Sequence, residues 1–135
     1  MVDISNRVDV LIKKTYYIYE RFQVDATFAM LYTEEPLDIS ELSKHVRISD
    51  QLMKIDENHY FIIFAFTQSK NAYKASQNII YALDIYFNNH SSCIALDTFD
   101  ANKSSRSVLG RLMQILVEIK KSSQIRIETE DIFDY

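Results

Sequence analysis

An α+β fold, one five-stranded mixed sheet with a central antiparallel hairpin and a covering of helices, is what this 135-residue chain predicts. The first observation behind it is the stretch Arg47 to Phe66, which reads as two strands about a tight polar turn. Leu52, Met53 and Ile55 precede Asp56-Glu57-Asn58-His59, and Tyr60 to Phe66 is continuously apolar and rich in aromatic and β-branched residues. A block this short does not span a membrane, and a strand apolar on both faces belongs inside a covered sheet. The second observation is that helical periodicity alternates with short strand-like runs on either side of this hairpin, with no internal repeat, linker or low-complexity segment between them. The third is size: 47% hydrophobic and 25% charged residues suit a single domain with one real core.

The elements follow in order. Val8, Leu11, Ile12, Tyr16, Tyr19 and Phe22 recur at three- and four-residue steps, which predicts an amphipathic helix over residues 1–23. Tyr17 and Ile18 widen its apolar surface, either as one broad core-facing stripe or as a face for a partner or a second copy. Ala26 to Thr33 predicts a strand buried on both sides, with Phe28, Met30 and Tyr32 on one face and Ala29 and Leu31 on the other. Pro36 breaks the chain, and Asp38-Ile39-Ser40-Glu41 has the spacing of a helix start whose first side chain caps backbone N–H groups. A short helix to about Val46 follows. In the hairpin turn Asn58 is the residue best suited to positive φ.

Ala72, Ala75, Ile79, Leu83, Tyr86 and Phe87 predict a long helix after Thr67, with Ser69 or Asn71 as its cap. Cys93 to Phe99 is a compact apolar strand and Asp100 to Ser105 a polar loop. Val108, Leu112, Ile115, Leu116 and Ile119 mark a helix closed by Lys120 and Lys121, cations suited to a helix carboxyl end. Ile125 and Ile127 alternate with Arg126 and Glu128 in a short final strand. Residues 130–135 are an acidic, mobile tail.

Composition excludes several functions. The formal charge of −4 and the pI of 5.3 supply no global positive field for nucleic acid or an anionic membrane, so neither is expected as a partner. One glycine, Gly110, and one proline, Pro36, stand where average usage gives about nine and about seven, which leaves no glycine-rich phosphate loop. Cys93 has no partner for a disulfide, and no amino-terminal stretch has the layout of a secretion signal; a cytoplasmic address is the expectation.

The layout of Arg47 to Phe66 resembles the signature hairpin of GGDEF domains, the diguanylate cyclase family, in which strand, Gly-Gly-Asp/Glu-Glu-Phe turn and apolar strand follow one another. Here the turn reads Asp56-Glu57-Asn58-His59-Tyr60, without the glycines and acids of that motif. Arg47-Ile48-Ser49-Asp50 matches the family's Arg-x-x-Asp inhibitory motif, five residues ahead of the turn as the family has it. The resemblance implies a ferredoxin-like, nucleotide-cyclase-like sheet and a bacterial-type signalling role. It runs loosely along most of the chain, and it departs from the family in telling places. The family's metal-binding aspartate at the end of the first strand falls on Tyr32 or Thr33, with Glu34 and Glu35 out of register. The segment that holds guanine shrinks to Glu34 through Val46, and the late Ala-Asp pair falls on Leu112 and Met113.

Joining two nucleoside triphosphates needs metal ions held by carboxylates beside a backbone able to approach phosphate. Asn58 and His59 replace the acids, while Asp56 and Glu57 in place of glycines repel phosphate and add bulk. The expectation is a degenerate, catalytically inactive domain with no cofactor. The resemblance implies that Arg47 and Asp50 bind cyclic di-GMP, the guanidinium on phosphate or a guanine edge and the carboxylate on guanine nitrogens; the plain alternative is a surface ion pair beside a strand. The second functional class is a protein-interaction or homodimerisation module without nucleotide, using the first helix around Tyr16, Tyr17 and Tyr19.

The remaining candidates are weak. His45, His59 and His90 are scattered, and His90 with Cys93 is the one pair near metal spacing, so no metal site is expected. Cys93 lacks an activating base. Lys54 stands where the family's arginine precedes the turn, or is an exposed strand residue. Nine Tyr and eight Phe without Trp read as core and rim rather than a base-stacking platform.

Overall fold

The computed structural model describes residues 2–122 and 124–133. Helix α1 (Val2–Phe22) leads into β1 (Ala26–Tyr32), followed by α2 (Ile39–Ser43), β2 (Gln51–Asp56), β3 (His59–Ala65), α3 (Ser69–Phe87), β4 (Cys93–Thr98), α4 (Val108–Lys120) and β5 (Ile127–Thr129). Single 3₁₀ turns occupy Ser105–Ser107 and Glu130–Phe133. The sheet order is β2-β3-β1-β4-β5. Strand β1 runs antiparallel to β3 and β4, while β4 and β5 are parallel and joined through α4, because a parallel pair needs a crossover.

The hairpin takes the sheet's flank rather than its centre, which belongs to β1. Strand β3 is interior and almost wholly buried, as its apolar block requires, but β2 forms the edge and alternates between exposed and half-buried residues. Gln51 and Lys54 explain the difference, since polar side chains in β2 suit an edge that water reaches.

Period-2 alternation divides the core into two layers. Phe28 and Met30 of β1, with Phe61 and Ile63 of β3, meet Val8, Ile12 and Tyr16 of α1 and Leu112, Ile115 and Leu116 of α4. Ala29, Leu31, Tyr60, Ile62 and Phe64 face the other way, onto Leu37, Leu42 and Ile79, Ile80 and Leu83 of α3. Each fully buried large side chain contributes about 1.5–3 kcal/mol at most, so these layers dominate the stability.

Three local expectations are corrected. Asp38 sits at the N-cap of α2 in extended conformation, yet its side chain makes no cap bond; its backbone carbonyl receives the Glu41 and Leu42 N–H groups instead. The N-cap of α3 is Gln68, which places Ser69 and Asn71 inside the helix. The tail expected to be mobile is ordered over Glu130–Phe133, where the Glu130 carboxylate accepts from the Thr98 N–H and Ile132 packs on the core; Asp134 and Tyr135 lie outside the described residues. Thr98 extends past the end of β5, so its N–H needs that acceptor.

Candidate functional site

The candidate residues read from the sequence lie at the two ends of the hairpin. At the turn, β2 stops at Asp56 and β3 starts at His59, leaving Glu57 and Asn58 as a two-residue loop. Such loops normally take primed turns with positive φ, but neither residue has it, and a register shift between Lys54 and Asp56 supplies the twist instead. The expectation of positive φ at Asn58 is therefore overturned.

Asn58 acts through its side chain. Its Nδ2 donates to the carbonyls of Thr33 and Glu34, each at 3.0 Å, while its own backbone carbonyl accepts from the Thr33 N–H at 2.9 Å. The turn is thus stitched to the carboxyl end of β1. Asp56 Oδ1 accepts from the Asn58 N–H at 2.8 Å and lies 2.9 Å from His59 Nδ1. Burial acts to raise the Asp56 carboxyl, but the bonds from Asn58 and His59 outweigh it and hold the group below the usual carboxylate range.

His59 and Tyr32, paired across the sheet, have ring centroids 5.5 Å apart, and Lys120 Nζ lies 3.6 Å from the Tyr32 centroid. His59 Nε2 is buried with no hydrogen-bond partner among the described residues. Glu57 is exposed and 3.4 Å from Lys54. Tyr60 is fully buried, its hydroxyl donating to the Leu37 carbonyl at 2.7 Å and accepting from the Leu37 N–H at 2.8 Å, so its side chain anchors the loop before α2.

At the base of the hairpin, Arg47 and Asp50 come together. Asp50 Oδ1 is 2.9 Å from the Arg47 guanidinium and accepts from the Ala65 N–H at 3.1 Å; Oδ2 accepts from the Arg47 backbone N–H at 2.9 Å. Arg47 also donates to the Ala65 carbonyl at 2.6 Å and to Thr67 Oγ1. The Asp50 side chain is 2% exposed, that of Arg47 55%. Beside this knot Phe66 holds φ 54°, a left-handed conformation that is unusual for a bulky residue, with its ring 5.8 Å from that of Tyr19.

Of the helix residues expected to form an interaction face, Tyr16 and Tyr19 are buried and only Tyr17 is exposed. His45 sits 3.7 Å from Glu41, His90 3.0 Å from Asp84, and Cys93 is buried, its thiol pushed up by desolvation.

Two ion pairs were not foreseen. Asp97, on a strand that reads as apolar, is fully buried; the Arg111 guanidinium donates to its Oδ2 at 2.7 and 3.0 Å, and burial raises its carboxyl in spite of this. Asp84 meets Arg126 of the β5 approach at 2.6 and 2.8 Å and is held below the usual range, chiefly by those bonds. An acid inside an otherwise apolar strand was the available signal for the first; partners 42 residues apart gave none for the second.

No family profile and no curated protein matches the chain. Solved structures do. The GGDEF domain of DgcB from Caulobacter crescentus, solved with c-di-GMP, superposes with a TM-score of 0.75 over 92% of this chain and 88% of that one. The fold is that of a GGDEF domain. Sequence identity in that pair is 10%, so backbone architecture carries the likeness. Diguanylate cyclase SiaD from Pseudomonas aeruginosa, solved with its activator SiaC, gives 0.73 at 8% identity, with 92% of this chain matching 57% of that one. The FimX GGDEF domain from the same organism gives 0.71 at 12% identity over 92% and 91%. The GGDEF-like sheet thus spans nearly the whole chain.

Proposed function

We propose that this chain is a catalytically inactive GGDEF-like regulatory domain whose signature turn has become a structural clasp. The observation that carries the reading is the position of Asn58 Nδ2, 3.0 Å from the carbonyl oxygens of both Thr33 and Glu34. An amide donor takes lone pairs that a hard cation would otherwise use, and it brings no negative charge to hold one. Tyr32 and Thr33 stand where the family places a metal-binding aspartate, and Asp56 is committed to Asn58 and His59. Phosphoryl transfer between two triphosphates needs charge neutralisation at this place. The expected result is that purified protein with GTP and magnesium forms no cyclic di-GMP; turnover above a heat-killed control would overturn the reading.

Cyclic di-GMP is the ligand to test at the other end of the hairpin. The half-exposed Arg47 guanidinium is suited to a phosphate or guanine edge, and the DgcB domain was solved with that molecule. The expected result is a rise in thermal midpoint with cyclic di-GMP, absent with GTP and lost in Arg47→Ala, by an amount set by the ratio of free ligand to Kd.

A second reading, a protein-interaction module without nucleotide, is favoured by Asp50. Its carboxylate is buried and already accepts from Arg47 and Ala65, which leaves little for guanine. No midpoint shift with cyclic di-GMP would select this reading.

A further inference from the structure

We propose that the outward face of α1, with the adjoining groove against β2, is a docking surface for an acidic amphipathic helix of another protein. The groove is shallow and open, with a volume of about 340 Å³, and is lined by Asn6, Arg7, Val10, Leu11 and Lys14 of α1 and by Met53 of the edge strand. Apolar residues continue along the helix beyond it: Val10, Tyr17 and Ile18 are 49%, 68% and 47% exposed. Val10 and Tyr17 are seven residues apart, as are Leu11 and Ile18, so each pair keeps to one side of the helix. This is the spacing at which a partner helix presents its own i, i+3, i+4 and i+7 anchors.

Charge selects the partner. Arg7, Lys14 and Arg21 also recur every seven residues and line this same stripe. The acids of α1 are Asp3, four residues before Arg7 at the start of the row, and Asp9 and Glu20, which fall about 130° around the helix from it. Lys14 and Arg21 make no ion pair among the described residues; Arg21 reaches only the Tyr17 hydroxyl, at 3.5 Å. A second copy of this chain laid along the stripe sets like charges together in either direction, Lys14 on Lys14 when parallel and Arg7 on Arg21 when antiparallel, which disfavours self-pairing. A helix with an apolar seam flanked by glutamates fills the groove and neutralises the row. An anionic bilayer is the less suited occupant, because the chain carries a net charge of −4.

The inference is independent of nucleotide binding. Its test uses the full chain and a labelled synthetic helix with a leucine seam flanked by glutamates, beside the same peptide with glutamine or lysine for glutamate, and vesicles of phosphatidylcholine with phosphatidylserine. Saturable binding of the glutamate peptide, at least about tenfold tighter than the glutamine peptide and weakened between about 50 mM and about 500 mM salt, is expected. The double variant K14E/R21E, at exposed positions, should keep its thermal midpoint within a few degrees and switch preference to the lysine peptide. Val10→Asp should lose binding of both. Equal affinity for glutamate and glutamine peptides, no saturable binding, vesicle binding in preference to peptide, or self-association abolished by Tyr17→Asp would each overturn the proposal.

Discussion

The two ends of the hairpin solve one problem in opposite ways. At the turn, a neutral amide joins strands: Asn58 bridges two carbonyls at the end of β1 and leaves no charge behind. At the base, a charged pair does the joining, with a buried Asp50 receiving N–H groups from both Arg47 and Ala65. The amide fits a partly wet turn, where each bond is worth about 1 kcal/mol. The carboxylate fits a dry corner only because it gains several donors, among them a guanidinium, that offset its desolvation. Arg47 and Asp50, whatever else they bind, thus serve the fold.

The comparison breaks most visibly at the base. Asp50→Ala strands the Ala65 N–H and frees Arg47, and a loss of about 3 kcal/mol in urea denaturation is expected, against under about 1 kcal/mol if the pair were an ordinary surface bridge. Asn58→Asp comes next. Replacing the amide by a carboxylate sets negative charge against the Thr33 and Glu34 carbonyls and should cost about 2 kcal/mol. Magnesium should restore none of that loss; recovery of the midpoint with millimolar magnesium would instead reveal a latent metal site at the turn.

These two residues also mark how far the sequence could be read. The layered core was legible because Phe28, Met30, Phe61 and Ile63 alternate with Ala29, Leu31 and Ile62 along β1 and β3, and alternation dictates faces. The resemblance placed Asn58 at the turn and Arg47 with Asp50 at the base. Their bonding was not legible, because Thr33 and Glu34 lie 25 and 24 residues from Asn58, and Ala65 lies 15 from Asp50. Nor was the exposure of Phe22, which recurs in step with the buried Tyr16 and Tyr19 yet is 65% exposed, since a periodic stripe gives the helix face but not how far along it the packing extends.

Two smaller effects sharpen the contrast. Phe66→Gly relieves the left-handed backbone beside the base and loses the contact with Tyr19, so its stability should change by no more than about 1 kcal/mol, whereas Phe66→Val, β-branched at positive φ, should be clearly worse by thermal denaturation. At the turn, the Asp56 carboxyl is depressed. Its contribution is therefore full above the ordinary value near pH 3.9 and disappears as pH falls through the lower native value. The midpoint difference between wild type and Asp56→Asn should stay constant down to about pH 5 and shrink toward about pH 2; a difference that grows on acidification would contradict the Asp56 hydrogen bonds.

By itself the sequence determined the strand and helix content, the two-faced burial of β1 and β3, and which residues stand at each end of the hairpin, because period and composition act over neighbours a few residues apart. Only the tertiary structure decided that β1 takes the sheet's centre and β2 its edge. It also decided that Asp97 is buried on Arg111, that Asn58 clasps the end of β1, and that Val10, Tyr17 and Ile18 of α1 are exposed among the described residues. Each of these depends on which distant segment arrives alongside, and that is set by the packing of the whole sheet between its helices.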